Sequence, residues 1–238
     1  MIKPTINKFS LNNSNTNDKS NWLRAAVLGS NDGIISIAGL VIGVSGAAQS
    51  KETVLTAGIA GIIAGAISLG AGEYVSVCAQ RDMEKALLKK EKYDLINYPK
   101  EELDDLVLAY EKDGLKPKDA ELVAEEFTEA DAFDTHAEVD YNIDPHHLTS
   151  PWSSVVASSI SFAIGSLIPL SAIMFSDSGY SVVVAFVAVV IALTVTGVLT
   201  AKVSGASAAR SVLRVVFGGV IAMTVTFLVG ILFKVAVA

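Results

Sequence analysis

Apolar residues fall into blocks along this chain, parted by short polar connections and by one long polar interval in the middle. Five blocks approach the roughly 20 residues that cross a bilayer as helix: residues 25–48, 54–77, 152–175, 180–201 and 215–237. The third and fourth contain no charged residue. One such block alone reads equally well as the core helix of a soluble domain, but five in 238 residues predict five transmembrane helices. Residues 1–21 are rich in Asn, Ser and Lys and have no apolar run. That composition predicts a disordered tail and no cleavable leader, so that the first span would act as insertion signal. Trp22 and Arg24 suit an interfacial anchor.

The polar interval, residues 81–150, has helical signals of its own. RDMEKALLKKEKYDLI leaves the second apolar block without a breaker, so one helix is expected to run straight on. Pro99 opens a second helix, EELDDLVLAYEKD, which Gly114 ends. KPKD starts a third around AELVAEEF, a fourth covers ADAFDTHAEVD, and Pro145 and Pro151 bracket a linker into the third span. The pattern predicts an all-α membrane protein: five transmembrane helices with a helical module inserted between the second and third.

Charge sharpens this division. The chain is 51% hydrophobic with mean hydropathy +0.49 and net charge −7. Residues 81–150 hold 20 acidic and 9 basic side chains, a balance of −11 that leaves +4 for the rest. An acidic module argues against nucleic acid as a partner and for cations. The single Cys78 excludes an intrachain disulfide. Lys3, Lys8, Lys19 and Arg24 precede the first span, and Lys202, Arg210 and Arg214 lie between the fourth and fifth. The first connection has only Lys51 and the SDSG connection has no base, so the positive-inside rule places the N-terminus and the module in the cytoplasm. Five spans then put the C-terminus on the far side, with Lys234 counting against it. Gly29 and Gly33, Gly39 and Gly43, and Gly61 and Gly65 repeat at four-residue spacing, which suits close helix packing or a dimer seam.

Two acids lie inside apolar blocks. Asp32 is embedded in LGSNDGIISIAGLVIGVSG, and Glu73 comes late in the second block. A carboxylate in hydrocarbon is costly and marks a functional site by default. Ser30, Asn31 and Asp32 also fit a helix cap, and Glu73 a helix end reaching the interface. Counted at about 1.5 Å per residue, both acids fall some 24–29 Å from the far side. Two carboxylates at one depth can bind a divalent cation or share a proton. In the module, Glu91 and Asp94 share a helix face, as do Glu102 and Asp105, and His136 and Asp140. Carboxylates with an imidazole suit Mn²⁺ or Fe²⁺. Solvated faces paired to Lys85, Lys89, Lys90 and Lys92 are the alternative. His146 and His147, beside Pro145, read as loop residues.

NDGIISIAGLVIGVSGA in the first span and GEYVSVCAQRDME at the end of the second resemble the vacuolar iron transporter family. YPKEELDDLVLAYEKDGL and SGASAARSVLRVVFGG extend the resemblance, which runs from Trp22 to the C-terminus. It implies a homodimer that is not an enzyme and has no prosthetic group. Its substrates would be Fe²⁺ or Mn²⁺, exported from the cytoplasm against protons, with the module collecting metal. Carried over residue by residue, it makes Asp32 the transport aspartate and Glu73 the glutamate of the GE motif. Glu91, Asp94, Glu102, Asp105 and Asp140 take the module acid positions, three of the five as Asp. His136 and Ala137 stand where eukaryotic members have a Met-Met pair, and Leu69 where they have a span-two methionine. Loss of thioethers leaves a harder donor set and raises Mn²⁺ against iron.

Two other classes compete with a transporter. A di-iron oxidase or storage protein would use Glu-x-x-His pairs. Here Phe133, Ile143 and Asp144 stand three residues before the histidines. A membrane-anchored sensor or scaffold has no need of Asp32 and Glu73. No calcium-binding EF-hand loop is present. The compact chain suggests a bacterial inner membrane, with a vacuolar membrane if the source is eukaryotic.

Overall fold

A proline-free and glycine-free run from Ile6 to Leu28 lets the first helix begin well before the apolar block. The computed structural model describes residues 6–47, 50–177 and 179–237. Among them are seven helices and no strand: α1 (Ile6–Gly46), α2 (Lys51–Asn97), α3 (Pro99–Lys112), α4 (Pro117–Tyr141), α5 (Pro151–Phe175), α6 (Ser181–Ser204) and α7 (Ala208–Val237). The tail expected to be disordered is thus helical from Ile6 onward. Residues 1–5, the expected end of the first span at Ala48, Ser178 of the SDSG connection and Ala238 lie outside the described residues.

Five segments are long and apolar enough to cross a membrane: Trp22–Gly46, Lys51–Asn97, Pro151–Phe175, Ser181–Ser204 and Ala208–Ala236. They match the expected spans, except that α7 starts at Ala208 rather than residue 215. The sequence AARSVLR contains no breaker, so Arg210 and Arg214 ride on the helix instead of a loop. The chain divides into two compact units. One comprises Lys19–Val75 and Pro151–Ala238, the other Ser76–Ser150 with the start of the chain to Asp18.

In the first unit, α1 supplies the middle of the core. Its Ile34, Ile37, Ala38, Val41 and Ile42 are buried with Phe162, Leu170 and Ile173 of α5, Val189 and Leu193 of α6, and Met223 of α7. Recurrence at three and four residues is that of one helix stripe. α6 buries Ala185, Val189, Leu193, Gly197 and Ala201, every fourth residue, and turns apolar Val183, Val187, Ile191 and Val195 outward. Outward valines and isoleucines are what a helix against lipid carries.

Small residues let these helices touch by their backbones. A Cβ on Gly33 would stand 2.2 Å from the carbonyl oxygen of Phe162, and one on Gly230 would stand 2.0 Å from that of Gly43. Gly39 and Gly43 face Thr226 of α7, and Gly61 faces Leu40 and Ile37 of α1. Each spaced glycine pair is therefore used in packing within the chain. Between α5 and α2, Ser159 Oγ donates to the Ala66 carbonyl at 3.0 Å. Tyr74 and Trp152 pack in a tilted pair with ring centroids 5.3 Å apart at one end of the bundle, and exposed Phe175 and Tyr180 mark the other. Such aromatic girdles sit at membrane–water interfaces.

In the second unit, α2 ends at Asn97, Pro99 starts α3, and Gly114 takes φ +102 where the chain turns toward α4. The two helices expected after Gly114 form one element interrupted at Asp131, whose φ −164 and ψ 94 are extended. Asp131 caps the second half: its Oδ1 accepts from the Asp134 backbone N–H at 3.1 Å. Asn142 closes that half in the left-handed conformation, φ 53 and ψ 39. Ile143 N–H then reaches back to the Ala137 carbonyl and Asn142 N–H to that of Glu138, which is the glycine-type helix stop made with asparagine. A loop to Pro151 follows, as the prolines suggested.

Candidate metal centre

Three helices of the second unit turn polar side chains into otherwise apolar faces. On α2, Glu84, Leu88 and Glu91 are buried at spacings of four and three. On α3, Glu102 precedes fully buried Leu106 by one turn. On the capped half of α4, His136 and Ala137 are buried and Asp140 follows His136 by four. Small Ala120, Ala124 and Ala137 on α4 allow this close approach.

The result is a cluster of Glu91, Glu102, His136 and Asp140 whose ligand atoms all lie within 4.8 Å of one another. His136 Nδ1 stands 3.3 Å from Glu91 Oε1, 3.7 Å from Glu102 Oε2 and 3.1 Å from Asp140 Oδ2. Donors around a first-row divalent ion, each at about 2.1 Å, stand about 3–4.2 Å apart. A contraction on the order of half an ångström would close the set on such an ion. His136 is 0% and Glu91 2% exposed, yet Glu91 Oε1 and His136 Nε2 have no hydrogen-bond partner. Buried polar atoms are nearly always satisfied, and Glu91 Oε1, facing His136 Nδ1, is the unpartnered oxygen within the cluster. An imidazole among three carboxylates donates from Nδ1 when alone and offers that lone pair to a metal when one binds.

The electrostatics agree. Burial, then the charge of Glu91, raises the pKa of Glu102 above the ordinary carboxylate value, with His136 opposing and Asp94 and Asp105 reinforcing. Burial and the neighbouring Glu91, Asp140 and Glu102 push the Tyr141 phenol up to about 12. A carboxyl raised in this way stabilises the fold fully only below its unfolded value of 4.5, and that contribution is lost as pH rises through its folded pKa. A bound cation reverses the penalty. Stabilisation by Mn²⁺ should therefore grow as pH rises through the raised Glu102 titration. Melting curves with and without Mn²⁺, taken at several pH values, read this directly. A shift independent of pH would refute it.

Of the eight residues expected as metal ligands, four converge here. Asp94 pairs instead with Lys90 at 3.4 Å, and Asp105 is exposed; both act on Glu102 as charges rather than as partners in the cluster. Lys90 is the one base of the four considered that pairs with an acid among the described residues, so the solvated-face alternative holds for Asp94 and not for buried Glu91. His146 and His147 lie in the loop, His146 Nε2 on Asp134 at 2.9 Å and His147 Nδ1 on Asp144 at 3.1 Å. Asp134 raises the pKa of His146. Sequence reasoning passed over Glu84, which takes the Gln80 amide at 2.9 Å and lies seven residues from Glu91 on the same buried face.

Asp32 and Glu73 belong to the first unit. Asp32 is exposed on the single chain rather than buried, and accepts from Ser36 Oγ at 3.0 Å. The α1 face carrying it, Leu28, Asp32, Ser36 and Leu40, lies away from the glycine face packed on α5. Glu73 is half-buried between Gly70, packed on Ser159, and Tyr74, stacked on Trp152. The expected common depth is not found. Gly33 and Gly65 both abut Phe162, so Asp32 is level with Gly65, and Glu73 lies eight residues further, about 12 Å along α2.

The sequence pattern of the VIT family matches residues 23–231. The vacuolar iron transporter of Acanthamoeba castellanii (strain ATCC 30010 / Neff) is 37% identical over 212 residues, 89% of this chain and 78% of that protein. Vacuolar iron transporter homolog 2.1 of Arabidopsis thaliana is 33% identical over 210 residues, 88% of this chain and 80% of that one. Vacuolar iron transporter homolog 5 of Oryza sativa subsp. japonica is 34% identical over 218 residues, covering 91% and 82%.

Proposed function

The chain belongs to the VIT family, and from that premise we propose that it carries Fe²⁺ or Mn²⁺ out of the cytoplasm across a membrane in exchange for protons. It is an integral membrane protein by its five apolar helices and its relatives. The observation that carries the reading is the cluster of Glu91, Glu102, His136 and Asp140, in which Glu91 and His136 are buried and Glu91 Oε1 has no hydrogen-bond partner. Oxygen and nitrogen donors without thioether suit Mn²⁺ and Fe²⁺ over softer ions.

In this reading the cluster collects metal on the cytoplasmic side, and Asp32 and Glu73 are successive stations within the spans. Their separation of about 12 Å favours two stations over one shared site. A carboxylate exposed on a membrane helix faces lipid unless something covers it. A second copy laid on the stripe Leu28, Asp32, Ser36 and Leu40 would cover it, and the functional unit is accordingly a homodimer. Each carboxylate can hold a metal ion or a proton but not both, and that exclusion couples the two flows.

The test is flux into liposomes of known orientation, for Fe²⁺ and Mn²⁺ with Zn²⁺ for contrast, and a pH-sensitive dye on the other side. Metal entry with opposite proton movement is expected. Metal binding without flux would return the protein to the sensor or scaffold class.

A further inference from the structure

The outer seam between α5 and α6 stays open at the end of the bundle marked by Phe175 and Tyr180. α5 turns Ile168, Ser171, Ala172 and Phe175 into it, at the three- and four-residue spacing of one helix face, and α6 turns Val184 and Ala188. Small side chains at 171, 172 and 188 cannot fill the space, and a groove of about 640 Å³ is left. A hollow of about 320 Å³ along α5, sharing Ile168 and Ser171, extends it past Leu167 and Met174. The serines on its walls are spent on their own helix. Ser171 Oγ donates to the Ile168 carbonyl at 3.0 Å, and Ser176 Oγ to that of Ile173 at 3.1 Å. Polarity gathers at the mouth, where Asp177 and Tyr180 are both exposed. Among the described residues, no lysine or arginine pairs with Asp177. Lys51 Nζ donates to the carbonyl of Ser176, the residue before it. An ammonium has three N–H groups, so two remain for another acceptor.

We propose that this groove binds one phospholipid with a primary-amine headgroup, of the phosphatidylethanolamine type: an acyl chain lies in the groove, the ammonium meets Asp177 and the phosphate meets Lys51. The groove opens outward, where a membrane helix meets lipid, and its polar end coincides with an aromatic girdle. Depth and chemistry thus match one amphipathic molecule end for end. Charge selects the headgroup. The charged side chains at this end of the spans are Lys51, Glu52, Asp177 and Lys234, which sum to zero. An anionic lipid gains no net attraction there and meets Asp177 as a like charge. A zwitterion sets each of its charges against a complement. The ring of Tyr180 would suit choline as well, so donation to Asp177 is what separates the two zwitterions. Ethanolamine has N–H groups to give the carboxylate, in the stronger, charge-assisted kind of hydrogen bond. Choline carries methyl groups on its nitrogen and has none.

The experiment is native mass spectrometry of the full-length protein, delipidated in detergent and titrated with phosphatidylethanolamine, phosphatidylcholine and phosphatidylglycerol of identical acyl chains. Wild type, Asp177→Asn and Val184→Trp are compared, with size exclusion of each. Wild type is expected to bind one ethanolamine lipid about fivefold more tightly than either of the others, the factor of a well-formed exposed ion pair. Asp177→Asn should lower ethanolamine binding to the choline level and leave choline binding where it was. Val184 is exposed and lines the groove, so an indole there fills the groove without entering the core, and Val184→Trp should lose the bound lipid of either kind. Equal affinities for the three lipids, a preference for the glycerol lipid, or an unchanged ethanolamine preference in Asp177→Asn would overturn the proposal. Undiminished lipid on Val184→Trp would overturn it too, by placing the lipid elsewhere. A Val184→Trp protein that passes from dimer to monomer with its lipid unchanged would give this face to a second copy instead.

Discussion

Asp32→Asn should reduce metal flux in proteoliposomes to the level of empty vesicles while the protein still inserts and purifies. The substitution keeps size and shape and leaves an acceptor for Ser36 Oγ, whose bond to Asp32 Oδ1 is 3.0 Å. It removes the charge. Asp32 is the sole charged residue between Arg24 and Lys51, so a dehydrated divalent ion at that level of α1 has no other fixed countercharge on its own helix. Dehydrating such an ion without a fixed negative charge costs far more than a neutral amide returns. Asparagine also cannot alternate between proton and metal, so the dye signal should vanish with the flux. Glu73→Gln should impair flux less, because Glu73 sits next to the Tyr74–Trp152 pair, where interfacial water is close. Normal flux through Asp32→Asn, or metal movement with no proton signal, would refute the mechanism. Cluster variants should behave differently. Replacing Glu91, Glu102 and Asp140 together by Ala should weaken Mn²⁺ binding yet only slow transport, since in the proposed mechanism those residues gather the substrate and do not carry it across.

Gly230→Val is expected to have the largest effect on folding. A Cβ at this position would lie 2.0 Å from the Gly43 carbonyl oxygen, 3.0 Å from its carbon and 3.2 Å from the Ala47 nitrogen. All three are backbone atoms, so no side chain can swing aside. α7 would have to move off α1 by an ångström or more, opening the contact that Thr226 and Phe227 make with Gly43 and Gly46. Overpacking costs about 1–3 kcal/mol and occasionally more, and membrane helices have no hydrophobic force between them to recover it. Loss of monodisperse protein on size exclusion, or a melting point lower by several degrees, is the expected reading. Gly218→Ala is the control: no atom lies within 4 Å of its added Cβ. Equal behaviour of the two variants would show that the α1–α7 approach is looser than described.

The spans were legible because lipid imposes a single requirement, length of apolar helix, and because four-residue stripes such as that of α6 leave no ambiguity about the packed face. The helix starts in the acidic unit were legible for a local reason, prolines at 99 and 117 and glycine at 114. Helix spacing also paired His136 with Asp140. Spacing along one helix cannot say which faces of three helices meet, and so it could not separate Glu91 and Glu102 from Asp94 and Asp105. That choice is made by Leu88 and Leu106, the apolar neighbours that turn one face inward. Asp32 misled for the opposite reason. Its apolar surroundings in sequence suggested burial, but the glycines at 29 and 33 draw the other side of α1 against α5.

The break at Asp131 makes the last stretch of α4 a cassette. It has its own start, where Asp131 caps Asp134, and its own stop at Asn142, and it carries His136, Asp140 and Tyr141 between them. Substitutions inside such a piece do not propagate along a longer helix, because the hydrogen-bond ladder is interrupted at Asp131. In the proposed metal centre, donor atoms on this piece could therefore be exchanged, sulfur for nitrogen or nitrogen for oxygen, while Glu91 and Glu102 stay anchored on α2 and α3. Grafting residues 131–142 between relatives would accordingly exchange metal preference as a block, with the rest of the chain serving as an unchanged holder.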